Sequence, residues 1–267
     1  MKDRPGSKAE GESAPIVRVF EDAEAVAQAA ADEFSRRARV RAAAGERFSV
    51  ALSGGSTPKR LFRLLADEPL RREVPWPAID FFWGDERTVP AEHPDSNFGA
   101  AYDLLLSRVD VPSENIHRIQ VEQADPASAA AAYEKELRRH FRLPAGVLPR
   151  IDLVFLGMGG DGHTASLFPR SDALWEKRRL VVAAWIEKLS THRVTLTCPV
   201  LNNAACILFL VTGAEKAGTL REVMEQAGEA AGYPARLIRP RAGQLLWYVD
   251  EAAAAGLSGF SGTESAC

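Results

Sequence analysis

The stretch FSVALSGGSTPKRLFRLL, Phe48 to Leu65, changes its period partway along. Phe48 to Leu52 is a short, nearly unbroken apolar run of the kind that fills a strand buried on both faces, whereas Leu61, Phe62, Leu64 and Leu65 recur at helical spacing. Between them SGGSTP supplies a turn, and Pro58 suits a first helical position. A strand passing through a tight turn into a helix is the opening of a strand-helix-strand unit. The alternation continues outward in both directions. Toward the amino end lie IVRVF and an Ala-rich stretch from Asp22 to Ala44 that Gly45 ends. Toward the carboxyl end come IDFFWGDE, helical patterns from Asn97 to Arg108 and from Asp125 to Phe141, IDLVFLGM, ACILFLV, a helical stretch from Glu215, and QLLWYVD. The expected fold is therefore α/β, a largely parallel sheet flanked by helices on both faces. Residues 15–256 are expected to form one domain, with room for a lobe-like insertion, between a flexible N-terminal segment (1–14) and a flexible C-terminal tail (257–267).

Composition narrows the function. The chain has 267 residues, 46% hydrophobic and 26% charged, which excludes whole-chain disorder and fibrous repeats. Thirty-three Lys and Arg against thirty-six Asp and Glu leave a formal charge of -3, so no general attraction for nucleic acid or anionic lipid is expected. Cys198, Cys206 and Cys267 are odd in number and lack C-x-x-C spacing, which suggests neither a disulfide framework nor a zinc cluster and fits a reducing compartment. No stretch approaches the roughly 18 apolar residues of a membrane span. The expectation is a soluble cytoplasmic protein with no nucleic-acid or membrane partner.

Four segments carry candidate chemistry. SGGSTP offers two glycines and the N–H groups of a helix start, which suit a phosphate; a capped strand-to-helix turn explains it as well. WGDERTVP, followed by Ser96 and Asn97, sets Asp85, Glu86 and Arg87 at a strand end facing the mouth of the sheet, or else forms a surface charge cluster. IDLVFLGMGGDGHTASLFP, Ile151 to Pro169, is the most specific: Gly157, Gly159, Gly160 and Gly162 surround Asp161 and His163 directly after a buried-type strand. A histidine near neutral pKa in such a loop is a candidate general base. His93, His117, His140 and His192 lack that setting and read as surface or structural residues. Finally, RVTLT places Arg193, and VTGAEKA places Lys216 at a helix start, where each cation alone could equally be a solvated surface charge.

GMGGDG also satisfies G-x-G-x-x-G. A dinucleotide site needs a crossover helix after it, and Pro169 cuts the helical pattern almost at once, so the match is a coincidence of glycine density. There is no G-x-S-x-G nucleophile elbow, no H-E-x-x-H and no cysteine flanked like a catalytic thiol.

Taken in order, SGGSTP, WGDER-x-VP with Ser96 and Asn97, GMGGDGHTASLFP, and RVTLT…LNNA…VTGAEKA resemble the 6-phosphogluconolactonase family, from about Val17 to Leu257. The family shares its architecture with glucosamine-6-phosphate deaminase and ribose-5-phosphate isomerase, and DGHTASLFP and WGDER resemble the lactonase branch. The resemblance implies a Rossmann-like sheet of the sugar-phosphate isomerase/deaminase/lactonase type that binds no nucleotide. It implies hydrolysis of 6-phospho-D-glucono-1,5-lactone to 6-phospho-D-gluconate, the second step of the oxidative pentose phosphate pathway, with no metal and no organic cofactor. His163 would activate water with Asp161 behind it; Gly54, Gly55, Ser56 and Thr57 would hold the phosphate with Lys216 and Arg193. Arg87 and Asp85 would contact sugar or phosphate, Asn97 would assist, and the backbone of Gly159, Gly160 and Gly162 would receive the oxyanion. The alternatives are a deaminase or aldose-ketose isomerase on the same fold, or a non-catalytic sugar-phosphate sensor, although the residues before Ile16 are too few for a helix-turn-helix. The expected partner is the small lactone alone, for a monomer or weak homodimer.

Overall fold

The computed structural model describes residues 14–225 and 232–258. The two expected end segments lie outside the described residues except for Ala14, Leu257 and Ser258.

The apolar runs become strands. Strands β1 (Ile16–Phe20), β2 (Phe48–Leu52), β3 (Ile79–Trp83), β5 (Leu153–Leu156), β8 (Cys206–Val211) and β9 (Gln244–Asp250) form one parallel sheet in the order β1-β9-β8-β5-β2-β3. Every residue of β2, β3, β5 and β8 is buried, which is why these segments read as continuous hydrophobic runs. Val50 sits opposite Phe81 on one side and Leu153 on the other. The chain runs from β2 outward to β3 but from β5 outward to β8. The gap between β2 and β5 is therefore the point where strand order reverses, and loops leaving both strands open a crevice at their carboxyl ends.

Eight helices accompany the strands: α1 (Ala23–Ala43), α2 (Ser56–Ala66), α3 (Leu70–Glu73), α4 (Asn97–Leu104), α5 (Pro126–His140), α6 (Cys198–Leu201), α7 (Ala217–Glu225) and α8 (Glu251–Ala254), among the described residues. Helix α1 begins where Asp22 accepts hydrogen bonds from the N–H groups of Glu24 and Ala25. Its buried stripe, Val26, Ala27, Ala30, Ala31, Phe34 and Ala38, uses alanine to let the helix approach the sheet closely. Phe34 then meets Phe48, Trp76, Phe81 and Phe155 with ring centroids 5.7–6.4 Å apart. Burying one such side chain is worth about 1.5–3 kcal/mol.

Helix α2 starts at Ser56, two residues before the position the proline suggested, because Gly55 at φ 122° completes the turn first. A second sheet was not anticipated. Strands β4 (Asp85–Arg87), β6 (Val181–Ile186) and β7 (Thr191–Leu196) pair antiparallel in the order β4-β7-β6, and α5 packs on β6 and β7. Gly84 joins the two sheets: its N–H donates to Leu52 O of β2 at 2.9 Å and its carbonyl accepts from Leu196 N of β7 at 2.8 Å. The charged triplet after β3 is thus fixed above the crevice.

Candidate active site

A cavity of about 300 Å³ opens at the carboxyl ends of β2, β5 and β8, and its wall combines all four sequence segments. The turn Ser53–Thr57 faces Gly157–Gly159 and His163, with Asp85 and Arg87 from β4, Arg193 from β7 and Lys216 from the turn before α7. That volume is at the lower end of ordinary small-ligand sites.

The turn after β2 is shaped by close packing. A Cβ on Gly54 would come 1.8 Å from Asn97 Oδ1, so only glycine lets the chain pass. The first N–H groups of α2 end at this wall, and a helix start favours negative charge. Thr57 Oγ1 lies 2.9 Å from Thr212 Oγ1, tying the turn to the end of β8. The turn that carries Lys216 is held by a different device: both carboxylate oxygens of buried Asp250 accept the N–H of Gly213, at 3.0 and 2.9 Å, and Gly213 O accepts the backbone N–H of Lys216 at 3.0 Å.

His163 is built by its own loop. Its Nδ1 lies 2.5 Å from Asp161 Oδ1, and the carboxylate accepts that ring proton, leaving Nε2 as the basic nitrogen. Phe168 stacks beneath the imidazole, with centroids 4.0 Å apart and planes 14° from parallel. A Cβ on Gly159 would stand 2.1 Å from Nδ1, which demands glycine there. Burial pushes the His163 pKa below its usual 6.5, more than the facing Asp161 raises it. Burial alone would raise Asp161, yet the hydrogen bond and charge of His163, with Lys188 Nζ 3.3 Å away, bring it down to about 2. The pair is an anion orienting a neutral imidazole at neutral pH.

The two arginines are neighbours across the small sheet, Arg87 directly opposite Arg193. Like charges in that position repel. Burial and then Arg87 lower the Arg193 pKa, and the Nε of each is buried without a hydrogen-bond partner. Ser53 Oγ, on the same wall, also lacks one. Arg193 lies over the Phe168 ring at 5.7 Å, beside the imidazole that shares it. Unpaired buried donors are costly, so their concentration at one cavity marks a place built for an anionic, oxygen-rich ligand.

Several expected residues stand elsewhere. Asn97 is buried behind the wall, where its Nδ2 donates to Asp85 O at 2.9 Å and Oδ1 at 3.1 Å; it braces Asp85 and does not face the cavity. The assignment of three glycines to the oxyanion must be corrected. Gly159 N–H already donates to His163 O and Gly162 N–H to Gly159 O, both at 2.9 Å, so neither amide is available. Gly160 and Asp161 line a larger neighbouring concavity of about 1040 Å³ on the outer side of the loop. Residues missed in the sequence are Phe168, Asp250 and Ser166, whose Oγ donates to Asp85 Oδ2 at 2.5 Å. Glu86, a member of the WGDER string, caps α4 by accepting the N–H groups of Asn97 and Phe98, both at 2.7 Å. Phe168 and Ser166 stand within the quoted motif, but nothing local distinguishes a ring platform from a core aromatic.

Residues 21–247 match the family described as Glucosamine-6-phosphate isomerases/6-phosphogluconolactonase, and the chain belongs to that family. It is 45% identical over 212 residues to a 6-phosphogluconolactonase of Nostoc sp., covering 79% of this chain and 85% of that one. It is 38% identical over 245 residues to a Homo sapiens 6-phosphogluconolactonase, covering 90% and 92%. The solved 6-phosphogluconolactonase from Trypanosoma cruzi superposes with a TM-score of 0.81 at 30% identity, over 93% of this chain and 99% of the other. A monomeric glucosamine-6-phosphate deaminase at 18% identity and TM-score 0.76 shares the fold.

Proposed function

We propose that this chain is a 6-phosphogluconolactonase: it hydrolyses 6-phospho-D-glucono-1,5-lactone to 6-phospho-D-gluconate in the oxidative pentose phosphate pathway. The observation that carries the reading is the single cavity in which an anion-holding turn and a carboxylate-oriented imidazole face each other. The first amides of α2, with Gly54, Gly55, Ser56, Thr57 and Lys216, take the phosphate. Neutral His163 removes a proton from water as the oxygen attacks C1, and the imidazolium then protonates the departing ring oxygen. Asp161 stabilises that imidazolium and holds the tautomer. Arg193 and Arg87 supply positive charge to the phosphate and the developing oxyanion, replacing the glycine amides in that role. Asp85, braced by Ser166 and Asn97, accepts a hydrogen bond from a sugar hydroxyl. General base action contributes about 10²–10⁴-fold, and fixing the lactone by its distant phosphate contributes to the rest.

No step draws on a metal or organic cofactor. Among the described residues no helix is long and apolar enough to cross a membrane, and Cys198 and Cys206 are free thiols, which supports a cytoplasmic location. The test is a stopped-flow or NMR assay of freshly made lactone with the spontaneous ring opening subtracted. Turnover well above that background is the expected result; release of ammonia from glucosamine 6-phosphate with no lactone turnover would replace this reading by the deaminase one.

A further inference from the structure

The cavity lies beyond the carboxyl ends of the strands, and a second cluster lies at the other end of β3. Asp80, the second residue of that strand, meets His117, next to the residue that bridges Phe81, and His140, the last residue of α5. One donor atom of each lies within 4.8 Å of the other two. His117 Nε2 is 3.6 Å from Asp80 Oδ1, and His140 Nε2 is 3.7 Å from Asp80 Oδ2. Those gaps are too long for good hydrogen bonds. They approach the edge, roughly 3.3 Å, of a tetrahedron with nitrogen and oxygen ligands about 2.0–2.1 Å from zinc.

The side chain of His117 is only 8% exposed, and its Nε2 has no hydrogen-bond partner. Its Nδ1 is 2.8 Å from Glu136 Oε1. A carboxylate that accepts the Nδ1 proton fixes the tautomer with a lone pair on Nε2, the arrangement that orients histidine ligands around metals. Phe82 stacks on His117 with centroids 4.6 Å apart and meets His140 edge-on at 5.0 Å, so both rings are held in place. The sequence suggested structural histidines; in the fold His117 Nε2 faces Asp80 Oδ1 from 3.6 Å, beyond good hydrogen-bond distance, and has no closer partner.

We propose that Asp80, His117 and His140 form a binding site for a zinc-class divalent cation, with water completing the coordination. The site is separate from the hydrolytic cavity. Arg47 opposes it: its guanidinium donates to both oxygens of Asp80 at 2.6 Å. Each carboxylate oxygen keeps a second lone pair, so guanidinium and cation can share Asp80, but their charges repel. The Arg47 side chain is 51% exposed but is also tied to Pro77 O at 3.3 Å, and its competition for Asp80 makes it the residue that limits affinity. A bound ion would clamp the carboxyl end of α5 to the edge of the sheet. Tyr133 already joins the same helix to Trp83, whose N–H donates to the Tyr133 hydroxyl at 2.9 Å. The expected effect is on stability rather than rate.

The experiment strips the full-length protein with EDTA and titrates it with Co²⁺, whose visible absorption reports tetrahedral coordination, followed by displacement with Zn²⁺. One equivalent should bind, and the thermal midpoint should rise with added Zn²⁺. His140→Gln should weaken binding about tenfold or more while its melt in EDTA stays cooperative. Arg47→Met should tighten binding about threefold or more, a gain that no misfolded variant produces. His163→Gln, in the other site, should bind the ion like the parent. The proposal is overturned by no saturable binding up to about 1 mM, by loss of binding in His163→Gln instead of His140→Gln, or by an Arg47→Met affinity equal to the parent's.

Discussion

Replacing Asp161 by asparagine keeps the size of the side chain and removes its charge. The gap between the ordinary carboxylate value of 3.8 and about 2 corresponds to about 2.4 kcal/mol in favour of the ionised form. The Asp161 side chain is 27% exposed, and solvent screening leaves about 1–2 kcal/mol for its pairing with an imidazolium. That is roughly 5- to 30-fold in rate. A second loss adds to it: an asparagine can turn its amide N–H toward Nδ1, which moves the ring proton to Nε2 and takes away the lone pair that accepts the proton from water. In serine-protease triads the corresponding substitution costs about 10⁴-fold, which sets a ceiling. We expect kcat to fall about 10²-fold or more, with KM within about threefold. The pH profile moves in a defined direction. His163 must be neutral to act, and its pKa already lies below 6.5 because burial outweighs the attraction of Asp161. Removing that anion lowers it further, so the acid limb of kcat/KM should shift to lower pH while the plateau drops. Stopped-flow rates on fresh lactone across pH, corrected for uncatalysed opening, measure both quantities. A kcat within about threefold of the parent, or an acid limb that moves upward, refutes the assignment of this pair.

Gly159→Ala places a Cβ 2.1 Å from His163 Nδ1 and 2.8 Å from Asp161 Oδ1, so the imidazole must shift; kcat should fall about 10²-fold while circular dichroism is unchanged, and parental turnover would contradict the geometry. Arg193→Met removes a charged donor worth about 1.5–3 kcal/mol to an anionic ligand and should raise KM about 10- to 100-fold. Initial-rate curves check this, and an unaltered KM would remove Arg193 from the substrate site. Glu86→Ala leaves the N–H groups of Arg87, Asn97 and Phe98 without their acceptor and should cost about 2–4 kcal/mol in a urea melt, mostly as lost stability with the substrate-binding residues intact.

Much of the site was legible because its signals are local. Two glycines before a helix start, four glycines around Asp161 and His163, and a cation just after a buried strand each declare a backbone or electrostatic need at one place in the chain. The parts that escaped are those whose meaning depends on a partner far away in sequence. Glu86 looked like one more charge in a loop until α4 brought its first N–H groups to the carboxylate, and Asn97 looked like a polar contact until Gly54 and Asp85 closed around it. The oxyanion assignment to Gly159 and Gly162 failed for a similar reason: the loop spends those amides on its own turn.

From the sequence alone came the alternation of buried strands and helices, and with it the α/β class and the strand ends at which the candidate site lies, since period and turn chemistry are properties of a few consecutive residues. Strand order, the second antiparallel sheet and the facing of Arg87 with Arg193 emerged only in the folded molecule. A three-residue charged strand carries no periodicity, and which strands become neighbours depends on contacts separated by up to the length of the chain. The same holds at the other end of β3, where Asp80, His117 and His140 are unremarkable in their own segments and become a donor set only when β3 and α5 meet.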